Sequence, residues 1–404
     1  MEGKWGLDLQ WWLTVEQVIS KARVYLNREG QIFDREEFVQ RMTSWDLLYH
    51  IGRANFDGKK SGYVSADWER VTGGPDRERV SETWGRAKYE YGRAVEKLTA
   101  VGGGEGGESK VEVKWRDTRE GSQTKGEEGT LLVDFVVCAD GPSSGMRRLL
   151  LDEAVHRTYA GYVAFRGTVP EEEIGQAAAE VFVEKFAFFH KDGTQILAYT
   201  IPGINGTVQP GKRLVNWVWY WNYEDGSPEY EELMTDSSGN RHRYTLPQGK
   251  ICKDVWERQM RRAEELLPPQ FEEIVKKTQK PFVQVITDVE PPVEGAKVGR
   301  LLNGKAALLG DALAGFRPHT ASGTGQAAFD ALMLEKAFGG EMTWDEYEDN
   351  AMQFATSWQR KGVTLGNCSQ FEYHAALAEG GQVREEAKLV SGPAMPMRLM
   401  ARAQ

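Results

Sequence analysis

The chain has 404 residues, of which 40% are hydrophobic, 27% charged and 11% aromatic, and its formal net charge is −10. This length predicts two or three folding units, or one large domain with a subdomain, and the composition excludes wholesale disorder. The acidic balance argues against a protein that binds nucleic acid through its phosphates.

Membrane, secretion and metal signals are missing from the sequence. No apolar run reaches the roughly 20 residues that a membrane helix needs, and the first twelve residues do not resemble a secretory signal. The three cysteines, Cys138, Cys252 and Cys368, lack the spacing of a disulfide framework or a zinc site. The sequence therefore predicts a soluble, acidic, cytoplasmic protein with no metal and no membrane or nucleic-acid partner.

The first hundred residues have the pattern of helices. Apolar residues near helical spacing predict helices over 15–26, 36–56 and 82–100, with a turn into a short strand near Ile32. The glycine-rich run 102–107 follows. We interpret it as a flexible hinge rather than a phosphate loop, because no apolar strand leads into it and no helix follows.

Strands are predicted through the middle of the chain. The alternation of 111–115 predicts a half-buried strand, and the apolar run 130–138 predicts one strand covered on both faces. A period of two then predicts a mostly antiparallel sheet with strands at 162–167, 181–186, 195–199 and 213–221. Three tryptophans that share one face of the last strand favour core or interface packing over ring stacking on a ligand: Trp217, Trp219 and Trp221.

The last third of the sequence mixes helices and strands, and one acidic run precedes it. The patterns predict helices over 253–267 and 271–278, a strand over 282–289, a short buried strand over 305–311, a helix from Gly323 and a long helix over 344–370. The run Glu171-Glu172-Glu173 is interpreted as a solvated helix start.

The first segment with chemical content follows the buried strand at 136–138. It has the pattern Asp-Gly-x-x-Ser-x-x-Arg, with Asp140, Gly141, Ser144 and Arg147. The glycine lets a ligand approach the backbone, the serine can cap the next helix, and the arginine can pair with phosphate or carboxylate. Turns of this kind bind nucleotides in doubly wound sheets, but a plain strand, turn and capped helix explains the pattern equally well.

The second such segment begins with the short apolar strand that ends in Gly310-Asp311. A carboxylate there can accept hydrogen bonds from a sugar or polyol hydroxyl. The chain then runs through Arg317-Pro318-His319-Thr320 to a helix that starts at Gly323-Thr324, where free N–H groups and small residues would let a flat ring or pyrophosphate approach. Tight helix–sheet packing is the alternative reason for the small residues.

These two segments together resemble the second and third fingerprints of the group A flavoprotein monooxygenases, with the para-hydroxybenzoate hydroxylase-like fold. Further segments resemble the 2,6-dihydroxypyridine 3-hydroxylase-like branch: Thr43-Ser44-Trp45-Asp46, Asn216-Trp217-Val218-Trp219-Tyr220, Leu266-Leu267-Pro268-Pro269 and Arg317-Pro318-His319-Thr320-Ala321. The similarity extends from about residue 25 to 365. It implies an α/β fold with a Rossmann-like FAD/NAD(P)-binding domain and an antiparallel-sheet substrate subdomain.

The resemblance also implies boundaries. Residues 1–152 would be the first part of the FAD-binding domain, 153–290 the substrate subdomain, 291–370 the second FAD-binding part and 371–404 a helical or partly disordered tail. The family begins with a strand, a Gly-x-Gly-x-x-Gly turn and a helix, and this sequence has no such motif, so we expect the Rossmann-like domain to be truncated at its N-terminal side. A shortened sequence, a loss of tight FAD binding and a strand supplied by a partner chain all remain open.

The resemblance assigns roles to the two segments. Asp311, after Gly310, would bind the ribityl chain of FAD, and the backbone of Pro318 to Thr324, with Gly323, would lie near the pyrimidine edge of the flavin. The Asp140-Gly141 turn, with Ser144 and Arg147, would lie near the pyrophosphate and the path of NAD(P)H.

Three further side chains are candidates for contact with substrate. His319, beside the implied flavin edge, is our candidate for substrate contact or proton transfer. Taken alone, it is more simply explained as a loop histidine whose hydrogen bonds are satisfied. His190 and Tyr199 lie on the predicted antiparallel sheet, where this family's substrate pocket is roofed, with ordinary packing as the alternative for both.

The implied activity is that of an FAD-dependent monooxygenase. In this family flavin reduced by NAD(P)H reacts with O2 to give a C4a-hydroperoxide, which hydroxylates an electron-rich ring, here a small aromatic or heteroaromatic substrate, in a setting that fits secondary metabolism. A non-catalytic homologue that binds a small aromatic or a partner protein stays open. So does a flavin-dependent oxidoreductase without oxygen insertion, and a homodimer is compatible with each.

Overall fold

The computed structural model describes residues 17–64, 87–102, 109–151, 157–293 and 295–371. Its strands are β1 (Val18–Leu26), β2 (Ile32–Met42), β3 (Arg93–Val101), β4 (Lys110–Asp117), β5 (Glu128–Val133), β6 (Val136–Cys138), β7 (Arg157–Pro170), β8 (Lys185–Lys191), β9 (Thr194–Ile201), β10 (Leu214–Asn222), β11 (Thr245–Leu246), β12 (Phe282–Val289) and β13 (Ala306–Leu308). Its helices are α1 (Trp45–Asp57), α2 (Gly145–Leu150), α3 (Gln176–Phe182), α4 (Pro228–Leu233), α5 (Lys253–Leu266), α6 (Pro269–Lys277), α7 (Gly323–Gly339) and α8 (Trp344–Gln370). Short helical turns lie at Glu171–Glu173, Ile204–Gly206, Leu301–Gly304, Gly310–Ala312 and Pro318–Thr320.

The described residues divide into two compact units. The first contains residues 17–64, 87–88, 161–286 and 367–371, and the second contains 89–102, 109–151, 157–160, 287–293 and 295–366. Each unit is therefore assembled from separate stretches of the chain.

An eight-stranded sheet forms the frame of the first unit. Its strand order is β11-β12-β7-β10-β9-β8-β1-β2, and the β1–β8 pair is parallel, whereas β10 pairs antiparallel with both of its neighbours. The indole N–H of Trp217 donates to Thr278 Oγ1 (2.8 Å) and that of Trp219 donates to Thr194 Oγ1 (2.7 Å), and both rings are fully buried. The predicted core role of this tryptophan face is confirmed for these two residues.

Two smaller sheets belong to the second unit. The first is the parallel pair of β6 and β13, and the second is the antiparallel order β3-β4-β5. Their apolar side chains form one buried cluster with residues of α7 and α8, and its members include Val113, Leu308, Leu313, Met333, Leu334 and Tyr347. This cluster holds the two three-residue strands in place, because strands this short contribute few ladder hydrogen bonds of their own.

The predicted helices in the first hundred residues are mostly wrong. Residues 18–26 form β1, the stretch 36–42 belongs to β2, and 93–101 form β3. The second half of the predicted helix 36–56 is helical, as part of α1, and residues 82–86 lie outside the described ranges. Strand β1 is buried on both faces, so it lacks the alternation that marks a half-exposed strand. Strand β1 pairs in parallel with β8, with Ala22 opposite Lys185, about 160 residues later in the chain. This long-range pairing overrides the local preference for a helix.

Three further predictions need correction. The run 130–138 is two strands in different sheets, and Leu131 and Leu132 in β5 are 52% and 60% exposed, not buried. The predicted strand at 181–186 is the end of α3 followed by the start of β8. Glu171 is not solvated, since it pairs with the buried guanidinium of Arg213 at 2.6 Å.

Several predicted strands and helices are confirmed. The structure has strands at 111–115, 195–199, 213–221 and 282–289, and helices at 253–266 and 269–277. Most of the glycine-rich run 102–107 and of the tail 371–404 lies outside the described residues. None of the helices in the described ranges is long and apolar enough to cross a membrane, and no group of three metal-binding side chains occurs within those ranges.

Candidate functional site

The parallel pair of β6 and β13 brings the two predicted turns to the same edge of one sheet. Val136 is in register with Ala306 and Cys138 with Leu308, and the ladder continues as the Leu309 amide donates to the Cys138 carbonyl at 3.1 Å. Because both strands run in the same direction, the segments that follow them emerge side by side. The turns at Asp140 and Asp311 are therefore neighbours within the second unit.

The first turn is organised around the Asp140 carboxylate. Ser144 Oγ donates to Asp140 Oδ1 (2.5 Å), the Met146 amide donates to Asp140 Oδ2 (3.1 Å), and Ser144 Oγ accepts from the Arg147 amide (2.8 Å). Gly141 has the left-handed φ of 79° that this turn requires. Ser144 thus caps α2, as predicted, and Asp140 holds the same helix start.

Arg147 links the first turn to the second. Its side chain is buried, and its guanidinium donates to the carbonyls of Ala312 (3.1 Å) and Pro142 (3.4 Å). Burial lowers the pKa of this guanidinium from its ordinary value, and the Asp140 carboxylate opposes that shift. Arg147 therefore fixes the backbone one residue beyond Asp311.

The second turn begins at Gly310, whose φ of 60° lies in the left-handed region. The Gly310 amide donates to Oδ2 of the buried Asp330 on α7 at 2.9 Å. Asp311 comes next. Burial raises the pKa of the Asp311 carboxyl, and the positive charge of Arg157 works against that rise. A Cβ placed on Gly323 would lie 3.7 Å from Asp311 Oδ1, so the start of α7 lies directly beside this carboxylate.

The loop from Gly315 to Thr320 is held by an ion pair. Arg317 donates from Nε and Nη2 to the two carboxylate oxygens of Asp288 at 2.8 and 2.6 Å, and the Gly315 amide donates to the Val289 carbonyl at 3.0 Å. Both anchors lie at the end of β12. They position Pro318–Thr320 as a short 3-10 helix, in which His319 is half-buried.

Four residues of this site were missed in the sequence analysis. They are Arg157, Asp288, Asp330 and Ser143, the last of which lies in the first turn. Arg157 donates from Nε to Thr287 Oγ1 (2.7 Å) and from Nη1 to Ser143 Oγ (2.9 Å), so it joins the end of β12 to the first turn. The sequence contained a signal for Asp330, because this residue is the lone acidic side chain in the apolar stretch of α7.

His190 and Tyr199 lie in the first unit, on the adjacent strands β8 and β9. His190 pairs in register with Gln195, whereas Tyr199 pairs with Phe186, four rows away along the same ladder or roughly 13 Å. Tyr199 makes an edge contact with the Phe186 ring at 4.9 Å, and burial raises its pKa. The two side chains therefore do not touch each other, but both belong to one row of aromatic rings, in which Phe186 and Phe188 lie between them.

Comparison with known proteins gives the class of this fold. A family model described as FAD binding domain-like matches residues 159–288. The solved 2,6-dihydroxypyridine-3-hydroxylase of Arthrobacter nicotinovorans superposes with a TM-score of 0.67 at 23% identity, over 93% of this chain and 82% of that one. Klebsiella pneumoniae HpxO, solved with FAD and uric acid, gives a TM-score of 0.57 at 18% identity, over 96% of this chain and 80% of the other. The chain has the mixed α/β fold of the group A flavin monooxygenases, as its motifs predicted.

Sequence comparison narrows this class. The chain is 31% identical over 281 residues to 2,6-dihydroxypyridine 3-monooxygenase of Paenarthrobacter nicotinovorans, and the match covers 70% of this chain and 63% of that protein. The chain is thus a homologue of that monooxygenase, as the sequence motifs indicated. The aligned part amounts to less than two thirds of the relative's length.

Proposed function

We propose that this chain is an FAD-dependent monooxygenase that uses NAD(P)H and O2 to hydroxylate a small heteroaromatic or aromatic ring. The carrying observation is the Asp311 carboxylate. It is half-buried at the edge where β6 and β13 end, burial raises its pKa, and within the described residues no group donates a hydrogen bond to it. A half-buried carboxylate in that state favours a ligand that brings hydroxyl donors, and a ribityl chain has several.

The surroundings of Asp311 fit the flavin end of FAD. The residues at the start of α7, Ser322, Gly323 and Thr324, are small, and their backbone N–H groups belong to the first turn of a 17-residue helix. Gly323 carries no side chain at the point closest to the Asp311 carboxylate. We propose that Asp311 binds the ribityl hydroxyls and that Pro318 to Thr324 lie along the pyrimidine edge.

Bound FAD, once reduced by NAD(P)H, would supply the oxygen chemistry. The protein's own residues would orient the ring system and handle protons. His319, held in the loop that the Arg317–Asp288 pair fixes, is our candidate for proton transfer, because an imidazole changes charge near neutral pH. The Asp140–Arg147 turn would lie beside the pyrophosphate and the path of the reductant.

Flavin binding tests this proposal directly. The full chain is purified, incubated with FAD, desalted and examined for the visible flavin spectrum, and its dissociation constant is measured by flavin fluorescence. Asp311→Ala should weaken binding by about 10- to 100-fold, since a hydrogen bond to a charged group contributes about 1.5–3 kcal/mol. Asp134→Asn is the matched control, because its side chain is 80% exposed in the same unit. Equal FAD affinity in all three proteins would contradict the assignment of Asp311.

Turnover is the second test. NAD(P)H oxidation and O2 uptake are followed with a panel of hydroxypyridines and phenols, and products are analysed for one added oxygen atom. Oxidation of NAD(P)H without oxygen transfer to any ring would favour the oxidoreductase without oxygen insertion. A protein that stays colourless after incubation with FAD would favour the non-catalytic homologue.

A further inference from the structure

Helix α7 contacts the Gly310–Asp311 turn at three positions on one of its faces. The first is Gly323, whose Cβ position lies 3.7 Å from Asp311 Oδ1, and the second is Ala327, whose methyl lies 3.2 Å from the Cβ position of Gly310. The third is Asp330, which accepts the hydrogen bond from the Gly310 amide. Spacings of four and three residues place all three on one side of the helix. The turn therefore lies along α7 over two helical turns.

Asp330 is the ionisable member of this face, and its burial is costly. The side chain has no exposed surface, Oδ1 is buried without a hydrogen-bond partner in the described part of the chain, and burial raises the pKa of the carboxyl to about 7. Such a group destabilises a helix whose other buried residues, apart from Gln326, are apolar. The hydrogen bond that Oδ2 accepts from the Gly310 amide is the interaction that accounts for a carboxylate at this buried position.

Gly310 has a left-handed φ of 60°, and its amide is held by a residue outside the turn. Glycine has more backbone freedom than any other residue, so the direction of the following side chain depends on what holds its peptide groups. Arg147 holds the far side of the turn at the Ala312 carbonyl, and Asp330 holds the near side at the Gly310 amide. Asp311 lies between these two anchors.

We propose that Asp330 is a positioning residue that sets the direction of the Asp311 carboxylate by fixing the Gly310 amide. The inference deepens the proposed function and rests on it, since it names how this chain orients its ribityl-binding group. It concerns the backbone of the turn, so it also has consequences in the protein without flavin.

The other polar groups near Asp330 do not take over this role. Tyr347 on α8 is fully buried, its hydroxyl has no partner in the described residues, and burial followed by the charge of Asp330 raises its pKa. Tyr347 therefore stays neutral throughout the range in which Asp330 titrates. Glu348, the next residue, is engaged by the Gly299 amide at 3.1 Å and by Arg300 at 2.7 Å.

The test compares two substitutions at Asp330 with a control on the same helix. Asp330→Asn keeps a carbonyl oxygen that can accept from Gly310, whereas Asp330→Leu removes the acceptor but keeps the volume. Glu335→Gln removes a carboxylate from α7 at a half-buried position. Each protein is measured for FAD affinity, for the visible spectrum of bound flavin and for amide hydrogen exchange of the peptide 306–316.

We expect Asp330→Leu to weaken FAD binding about tenfold, to shift the flavin spectrum and to lose exchange protection at Gly310. Asp330→Asn should restore affinity to within about twofold of the starting protein, and Glu335→Gln should match it. Unchanged protection at Gly310 in Asp330→Leu, or failure of Asp330→Asn to restore it, would overturn the proposal. If the unsubstituted protein binds no FAD, the proposed function fails, but the exchange measurement still decides whether Asp330 holds the turn.

Discussion

The ion pair of Arg317 with Asp288 is the most direct point at which to perturb the loop that carries His319. Asp288→Asn keeps the shape of the side chain and removes its charge, which leaves the Arg317 guanidinium buried beside a neutral amide. The Arg317 side chain is only 5% exposed and that of Asp288 is 15% exposed, so little water reaches the pair. The substitution therefore exposes the cost of removing the carboxylate charge beside this buried cation.

The size of this cost follows from the geometry. Removing one partner of a buried ion pair typically destabilises a protein by 3–5 kcal/mol, and the partial exposure of Asp288 places our expectation near the lower value, about 3 kcal/mol. Arg317→Met removes the cation itself and should cost less, about 1–2 kcal/mol, because the remaining carboxylate is the more exposed partner, at 15% against 5%. The double variant should then be more stable than the sum of the single effects predicts, by at least about 1 kcal/mol.

Urea unfolding of the four proteins measures these differences, with Asp134→Asn as the control for an exposed ion pair. That control should change the free energy of unfolding by less than about 1 kcal/mol. The reasoning would be refuted if Asp288→Asn were no more destabilising than Asp134→Asn, or if the double variant showed simple additivity. Either result would mean that the pair does not fix the loop.

Three further predictions concern the two turns. Gly141→Ala should destabilise by about 1–2 kcal/mol through its left-handed φ. Gly145→Ala, at the start of α2, should be neutral or stabilising, because the nearest atom to the added methyl, Asp140 Oδ2, would be 3.9 Å away; equal melting temperatures of the two variants would contradict this. Ser144→Ala should cost about 1 kcal/mol in urea unfolding because it removes the cap of α2, and an unchanged midpoint would show that Asp140 alone holds that helix. The pKa of Asp330 is raised from 3.8 to about 7, so the free energy of unfolding should fall as pH rises from about 4 to 7, by at most about 4 kcal/mol, and then level off. Asp330→Asn should abolish this contribution, and a melting temperature that follows the same pH profile in both proteins would disprove it.

Local chemistry explains which parts of the site could be predicted from the sequence. A short apolar strand that ends in Asp-Gly or Gly-Asp predicts a turn with a carboxylate at the sheet edge, and the capping role of Ser144 follows from the position of a serine directly before a helix. Each of these signals lies within about ten residues. The fold class could be predicted because the two turns together resemble a known pair of fingerprints.

Long-range contacts explain what could not be predicted. The partner of the Arg147 guanidinium is a backbone carbonyl at Ala312, and backbone acceptors leave no mark in the sequence. The pairing of Asp288 with Arg317 joins the end of a strand to a loop 29 residues later. Strand β1 was harder still to predict, because a strand buried on both faces shows no period, and its pairing partner β8 is far away along the chain.

The register between β6 and β13 has a consequence for how related sequences can differ in length. The strands end at Leu308 and Cys138, and the turns that follow are held at fixed residues: the Gly310 amide by Asp330 and the Ala312 carbonyl by Arg147. Inserting or deleting one residue between Leu308 and Asp311 would displace the carboxylate from these anchors. A change of length between Cys138 and Ser144 would likewise remove the cap of α2. Homologues should therefore keep these two intervals at constant length and accommodate insertions in the connection at 118–127, between β4 and β5, where a longer loop has little energetic cost.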